Sequence, residues 1–487
     1  MTKPNSAISN WPDTQEILAD LERLVKQPMR PIRREKMSEY LDHLEVRCAR
    51  SKQLYEEAKA YIPGGVEHNL AFNYPFPLAI EKADGPYLFD VDGNRYIDFL
   101  QAGGPTLLGS NYQPVREKVI ELLLASGPTT GLFHEYELKL AKLVSSHMPS
   151  VEVLRMLGSG TEGVLAAIRA ARVFTDKARI IKVGGAYHGW SDQLVYGLHI
   201  PGTGAMEAFG IPRGCYKDTD EFPPNDIDGP KGLGALLSKN EKKGGTAAVI
   251  LEPLGPESGT RPVERDFNTR VRELCDQFGA LLIFDEVVTG FRLGLGGAQG
   301  YFGVKPDLTV FGKCIAGGYP AAGGLGGRRD VMKCLAAGLE AGEPRAYVGG
   351  TLSANPLSCA AGYYSILEIE RQQADVKAGR AGDRLGKGLK DIFRRYDLPF
   401  VAFNHGSICH LETSAVMLLD IEDPRALPES KPRKHMMEEM GAAFSASGII
   451  TLAGSRLYTS MADTDEVIDD ALSRFDSVFK NIEGVKI

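Results

Sequence analysis

Cysteine is scarce in this 487-residue chain. The seven that occur, Cys48, Cys215, Cys275, Cys314, Cys334, Cys359 and Cys409, are scattered, odd in number and without the paired spacing of a metal-ligand set. That pattern excludes a disulfide scaffold, gives no reason to expect a metal, and fits a reducing compartment, the cytoplasm. Long apolar runs are missing too. The opening residues "MTKPNSAISNWPDTQEI" lack the apolar stretch of a secretory leader, and no window reaches the apolar length that spans a bilayer, so no membrane partner is expected. There is also no long basic run. With a formal net charge of -7 the chain offers no extended polyanion-binding surface, and nucleic acid is not an expected partner.

What is present is ordinary globular material: 43% hydrophobic and 24% charged residues, in a chain long enough to need more than one core. Residues 1 to about 60 carry Leu and Tyr at helical spacings until Pro63-Gly64-Gly65 stops the pattern, which predicts an N-terminal helical arm. "PLAIEKADGPYLFDVDGNRYIDFL" alternates apolar and polar residues around Asp-Gly turns and predicts a small antiparallel meander. From about residue 115, helix-like stretches alternate with short apolar runs, "RIIKVGG", "TAAVILEPL", "ALLIFDEVV" and "DLTVFGK". Each run suits a strand buried on both faces, so a mainly parallel α/β sheet is expected. After about residue 355 come a helix-rich stretch, "GSICHLET", "AVMLLDI", a polar Pro- and Lys-rich loop, and "GIITLAGSRLYTS". The expected division is 1–114 (helical arm and small-domain segment), 115–355 (large α/β domain) and 356–487 (small α+β domain).

The run "LLIFDEVVTGF" frames the chemistry. A strand built for burial ends in Asp285 and Glu286, and a buried carboxylate is costly unless something positive meets it. In open α/β sheets ligands bind beyond the carboxyl ends of the strands. The other strand ends supply Tyr187-His188-Gly189-Trp190, Glu252-Pro253 and Lys313, while Gly158, Ser159, Gly160 and Thr161 precede a strong amphipathic helix, where free N–H groups suit an anion. A phosphate site, a carboxylate, a stacking aromatic and a strand-end lysine together suggest pyridoxal 5'-phosphate. In that reading Lys313 forms the internal aldimine and shuttles the proton, Asp285 meets the pyridinium, and Glu286 either supports its neighbour or contacts the cofactor hydroxyl region.

The run "FDEVVTGFRLGLGGAQGYFGVKPDLTVFGKCIAGGYP", with "PGGV", "DVDGNRYIDF", "GPTLLGS", "SGTE", "YHGW", "LEPL" and "GGTLSANPLSCAAG" in that order, resembles the class III aminotransferases of fold type I. Within them it is similar to the glutamate-1-semialdehyde 2,1-aminomutases and the β-amino acid aminotransferases. The resemblance spans roughly residues 50 to 475. It implies an α/β fold with a large, mainly parallel sheet of the seven-stranded type and a smaller α+β domain formed by both chain ends. It also implies Lys313 as the Schiff-base lysine, Asp285 as the pyridinium partner, Tyr187 as the stacking ring, and Ser159, Gly160 and Thr161 as the phosphate loop. His188, Glu252 and Val287 are expected around the cofactor, and Thr351 is expected to reach the phosphate of a neighbouring subunit in a homodimer with shared sites.

The expected activity is transfer of an amino group between an amino acid or amine, β- or ω-amino compounds included, and a keto or aldehyde acceptor. Aminomutase, racemase or ammonia-lyase chemistry on the same cofactor is the alternative, and a catalytically silent scaffold would require damage to the lysine, carboxylate or phosphate loop that the sequence does not show. For the substrate, the stretch after "PGGV" holds no arginine where the aminomutases have one. His68 stands at roughly that place, and Arg292, Arg345 and Arg456 are candidates for a substrate carboxylate.

Overall fold

Five of the strands that build the large sheet are buried over nearly their whole length, which suits positions covered on both faces. A computed structural model describes residues 6–69, 73–338 and 343–486. The chain divides into two units: Met1–Tyr112 with Ala374–Leu419 and Pro424–Ile487, and Gln113–Gln373 with Asp420–Asp423. No helix among the described residues is long and apolar enough to cross a membrane.

The first unit opens with three helices, α1 (Thr14–Lys26), α2 (Arg34–Arg47) and α3 (Ala49–Ala58). In α1 the apolar spacing Ile17, Leu21, Leu24 forms the buried face, and the Asp13 side chain caps the start by accepting from the Glu16 N–H at 3.1 Å. The meander follows as β1 (Ile80–Asp84), β2 (Tyr87–Asp90) and β3 (Arg95–Asp98), all antiparallel. Its turns use Gly85 and Gly93 at φ 54° and 83°, which is why Asp-Gly marks both.

The larger unit contains α4 (Gln113–Ala125), α5 (Glu135–His147), β4 (Val153–Leu157), α6 (Gly160–Thr175), β5 (Arg179–Val183), β6 (Thr219–Phe222), β7 (Thr246–Leu251), β8 (Leu281–Asp285), β9 (Leu308–Gly312) and β10 (Gly323–Gly327). Its seven-stranded sheet has the order β4-β10-β9-β8-β7-β5-β6. Only β10 runs antiparallel to its neighbours. The sequence GGLGG of β10 carries almost no strand propensity, so this strand is invisible to periodicity. Close packing explains it: a Cβ at Gly323 would collide with the Ser159 backbone, and one at Gly327 would lie 2.7 Å from Leu308 Cδ2. The register sets Leu157, Gly323 and Gly312 side by side, and pairs Leu251 with Phe284 and Asp285 with Val310. The carboxyl ends of β4, β5, β7, β8 and β9 therefore share one rim.

The helix Pro356–Gln372 corrects the expected boundary at residue 355. Its buried residues Cys359, Ala360, Ala361 and Ile366 belong to a helix that packs on α4, α5 and the turn Lys313–Ala316, so the larger unit runs on to Gln373. The chain then returns to the first unit with the helix Ala374–Arg395, β11 (Val401–His405), β12 (Ile408–Glu412), β13 (Ile449–Ile450) and β14 (Arg456–Tyr458). β13 extends the meander parallel to β3, and β11, β12 and β14 form a separate antiparallel sheet.

The apolar "AVMLLDI" contributes the single turn Val416–Leu418, and one reading of this stretch is corrected. The polar Pro- and Lys-rich loop is a 21-residue helix, Ala426–Ala446, with Pro432 inside it. Tertiary contacts outweigh the proline there: Met436, Met440, Ala443 and Phe444 are buried, and the Arg433 guanidinium donates to Ser414 O and Val25 O at 2.7 and 2.8 Å.

The core of this unit is aromatic. Phe444 meets Phe475 edge-on at 4.9 Å between centroids, and Phe393 meets Phe479 at 5.1 Å. Phe479 is fully buried against Phe393, Phe400 and Phe444. Phe479→Ala is expected to cost about 3–5 kcal/mol and Phe479→Leu clearly less, because leucine refills part of the cavity. Urea unfolding of the full chain checks this, and equal midpoints for the two variants would contradict it.

Candidate active site

Asp285, the last residue of β8, is only 5% exposed and holds its carboxylate by two contacts. Its Oδ2 lies 2.8 Å from Nδ1 of His188, and its Oδ1 accepts from the Val287 N–H at 3.1 Å. Burial pulls the His188 pKa down, while the Asp285 charge and hydrogen bond oppose that shift. A neutral imidazole donating from Nδ1 to Asp285 leaves Nε2 as an acceptor, and that buried atom has no hydrogen-bond partner among the described residues. Glu286 points elsewhere. Its carboxylate accepts from Ala298 N, Gln299 N, Gln299 Nε2 and Thr289 Oγ1 at 2.7 to 3.1 Å, so it fastens the loop that follows β8 and supports its neighbour; no oxygen is left for a cofactor hydroxyl.

Glu252 lies just past β7 and is buried. It accepts from Tyr187 N at 3.0 Å, Glu257 N at 2.7 Å, Ser258 Oγ at 2.9 Å and Ser258 N. Burial, with the Asp285 and Glu257 charges nearby, pushes its carboxyl up to about 8. The bend it stabilises holds Glu257 and Ser258 at φ 48° and 51°, a costly backbone for side-chain-bearing residues. Tyr187, fixed at its backbone, keeps 47% of its surface exposed.

A third group of contacts centres on Val287. A Cβ at Gly160 would sit 2.8 Å from Val287 Cγ2, and one at Gly312 would sit 2.8 Å from Val287 Cγ1. The valine thus fills the gap between the start of α6 and the end of β9, and both glycines are required by its proximity. Ser159 caps α6 by accepting from Glu162 N at 3.2 Å, leaving the first-turn N–H groups of Gly160 and Thr161 without helical acceptors. Gly189, at φ 84°, lies so close to Thr161 that any Cβ would overlap it, which brings the Tyr187-His188 turn against the α6 terminus.

Lys313 follows Gly312 directly. It is half-buried, with φ 47°, and no hydrogen bond or ion pair engages its amine among the described residues.

Other candidates are placed differently. Arg292 is completely buried, near Cys314, whereas a residue open to a substrate carboxylate would be expected to keep some exposed surface. Thr351 and Arg345 are exposed on the larger unit. His68, exposed, and Arg456, half-buried on β14, belong to the first unit. Of two glycine-bearing stretches that the sequence offers as a lid, 124–135 ("LASGPTTGLFHE") exposes Leu132 and Phe133, and residues 339–342 of the other, 337–350 ("AGLEAGEPRAYVGG"), lie outside the described residues. Residues 70–72, in the stretch after "PGGV", also lie outside them.

Sequence reasoning passed over Gly312 and the Ser258 contact, and named Gly189 without its reason, which only proximity reveals. It also passed over Lys182, whose signal was visible: a charge inside the apolar strand "RIIKV".

The model of the class III aminotransferases matches residues 71–479. Glutamate-1-semialdehyde 2,1-aminomutase 1 of Lachnoclostridium phytofermentans is 37% identical over 443 residues, covering 89% of this chain and 99% of its own. A β-phenylalanine aminotransferase from Variovorax paradoxus is similar in structure with a TM-score of 0.77 and 27% identity, over 92% of this chain and 97% of that one. A transaminase solved with PLP bound also gives 0.77, at 26% identity, over 88% and 97% of the two chains. The chain belongs to the class III aminotransferases, a family of pyridoxal 5'-phosphate-dependent enzymes of fold type I.

Proposed function

We propose that this enzyme transfers an amino group between an amino acid or amine and a keto or aldehyde acceptor, with Lys313, Asp285 and Tyr187 as its catalytic residues. The observation that carries the reading is that Val287 packs beside Gly160 at the α6 terminus and beside Gly312, the residue before Lys313, while its backbone N–H donates to Asp285, which pairs with His188.

The residues suit the cofactor. Gly160 and Gly312 let Val287 lie between the α6 terminus and the end of β9, and the first turn of α6 offers Ser159, Gly160 and Thr161 to a phosphate. Asp285 is a carboxylate with its geometry already fixed, suited to a protonated pyridine nitrogen. Tyr187 offers an aromatic face at the same rim.

When bound, the cofactor supplies an electron sink for the charge left at a substrate carbon that loses a proton. Lys313 is the residue that anchors the cofactor, then removes that proton and returns it. No carboxylate of the described residues pairs with its amine. Asp285 maintains a negative charge where the sink needs one, and His188 orients that charge by donating to Oδ2. Val287 and Tyr187 are apolar walls, and Glu252 sets the Tyr187 backbone.

The similarity to an aminomutase over nearly its full length supports a second reading, in which the amino group returns to the same substrate skeleton. The two readings differ in whether the first product leaves.

We also propose a homodimer in the cytoplasm. Leu132 and Phe133 are 78% and 77% exposed, Leu352 is 53% exposed beside Thr351, and His134 Nε2 lies 2.9 Å from Ala354 O, so these apolar groups share one surface of the larger unit. A second copy covering that surface would bring Thr351 to its partner's site. No disulfide links the cysteines of the described residues, in keeping with a reducing compartment.

Lys313→Ala is expected to abolish the visible band of lysine-bound cofactor and to lower turnover by about 10³-fold or more. Absorbance and steady-state rates test this, and full activity in the variant would refute the assignment. Asp285→Asn is expected to lower kcat by about 10²-fold or more while changing cofactor affinity far less; equal losses in both would make Asp285 a binding residue. Single amino donors added without acceptor separate the two activities: lasting loss of the visible band marks a transaminase, and a transient change that recovers marks the aminomutase.

A further inference from the structure

Lys182 occupies β5 with none of its surface exposed, an unusual place for a lysine. Its three N–H donors meet three backbone carbonyls: Ala186 O at 2.8 Å, Tyr196 O at 2.9 Å and Leu194 O at 3.4 Å. All three belong to the loop that leaves the same strand. The loop neck is closed separately by Gly185 N donating to Gly197 O at 2.8 Å. Lys182 is therefore not needed to close the loop; it organises the interior.

The contact with Ala186 is the informative one. The Ala186 carbonyl and the Tyr187 N–H are two ends of a single peptide group. Lys182 Nζ takes the oxygen at 2.8 Å, and Glu252 Oε1 accepts from the nitrogen at 3.0 Å. One planar unit is thus gripped at both ends by buried side chains, a donor at its oxygen and an acceptor at its nitrogen. Since the peptide plane is rigid, fixing it restricts the direction in which the Tyr187 side chain leaves the backbone and where His188 follows. The charges facing Lys182 come from several elements: Glu221 of β6, Glu252 after β7, Glu257 of the bend beyond it, and Glu207 of the preceding loop. Burial pulls the lysine down to about 8, and these carboxylates act against that.

We propose that Lys182 is a positioning residue for the reaction: with Glu252 it clamps the 186–187 peptide and so aims the Tyr187 ring and sets His188 against Asp285. The inference rests on the reading that Tyr187 and Asp285 face the cofactor. An apolar side chain at position 182 would fill the space but leave three buried carbonyls without donors, and the peptide would be held at one end only.

The test measures hydrogen exchange at the Tyr187 amide in the full chain, together with PLP affinity from absorbance titration. In the unchanged protein the Tyr187 amide is expected to exchange as slowly as the β5 amides; exchange as fast as an exposed loop would overturn the clamp. In Lys182→Met this amide is expected to lose about tenfold or more in protection while the β7 and β8 amides keep theirs. PLP affinity is expected to weaken about tenfold, as in Tyr187→Ala. Unchanged protection in Lys182→Met overturns the proposal. Should Lys182→Met fail to fold, Glu252→Leu removes the acceptor at the other end of the peptide, and an unaltered Tyr187 amide there overturns it equally. If protection falls but neither Lys182→Met nor Tyr187→Ala alters PLP affinity, the clamp stands and the stacking role of Tyr187 is refuted.

Discussion

The larger unit is arranged around a buried carboxylate at the end of an apolar strand. Leu281 to Phe284 are buried because β8 lies inside the sheet, and that burial would make Asp285 costly were it not for the His188 imidazole 2.8 Å away and the Val287 N–H. The pairing has two consequences. It preserves a negative charge in a place where solvent would otherwise have to screen it, and it ties β8 to the turn after β5, across the intervening β7. The neighbouring Glu286, on the same chain turn, is spent wholly on its own loop. Two adjacent carboxylates with similar burial thus do different work, decided by which donors face them.

Steric exclusion does as much as charge. Val287 could not sit between α6 and β9 if residue 160 or 312 had a side chain, and β10 could not lie against the start of α6 if residue 323 had one. The glycines are therefore conditions for strand ends to approach closely enough to act on one ligand. Lys313 at φ 47° is a further cost accepted at this rim, and the helix Pro356–Gln372 packed on its turn is what holds it there.

The sequence displayed the parts of this arrangement that depend on periodicity. β5, β7, β8 and β9 were legible as apolar runs, and the meander as alternation around Asp-Gly. The order of the short motifs around Asp285 and Lys313 pointed to the family. What stayed hidden depends on contacts across the fold. GGLGG forms a strand because its neighbours leave no room for side chains, and the helix around Pro432 forms because its apolar face and Arg433 find partners. The helix Pro356–Gln372 stays in the larger unit because of what it packs on, which no local pattern encodes. At the site, arginine identity suggested a carboxylate receptor at Arg292, but identity says nothing of exposure, and this residue is completely buried. Lys182 was the reverse case: a lone charge in "RIIKV" is a visible anomaly whose meaning required the three carbonyls around it.

The distribution of partners also explains why one lysine is available for chemistry. The rim holds Glu252, Asp285 and Glu286, any of which could have trapped an amine in an ion pair. Each is instead satisfied by backbone N–H groups, a hydroxyl, an amide or an imidazole. Lys182 is held by carbonyls, with the carboxylates around it at longer range. The Lys313 amine is left without an ion pair among the described residues, so no carboxylate there holds it away from a carbonyl carbon. The carboxylates of the rim are thus occupied elsewhere, and Lys313 stands outside their hydrogen-bond sets.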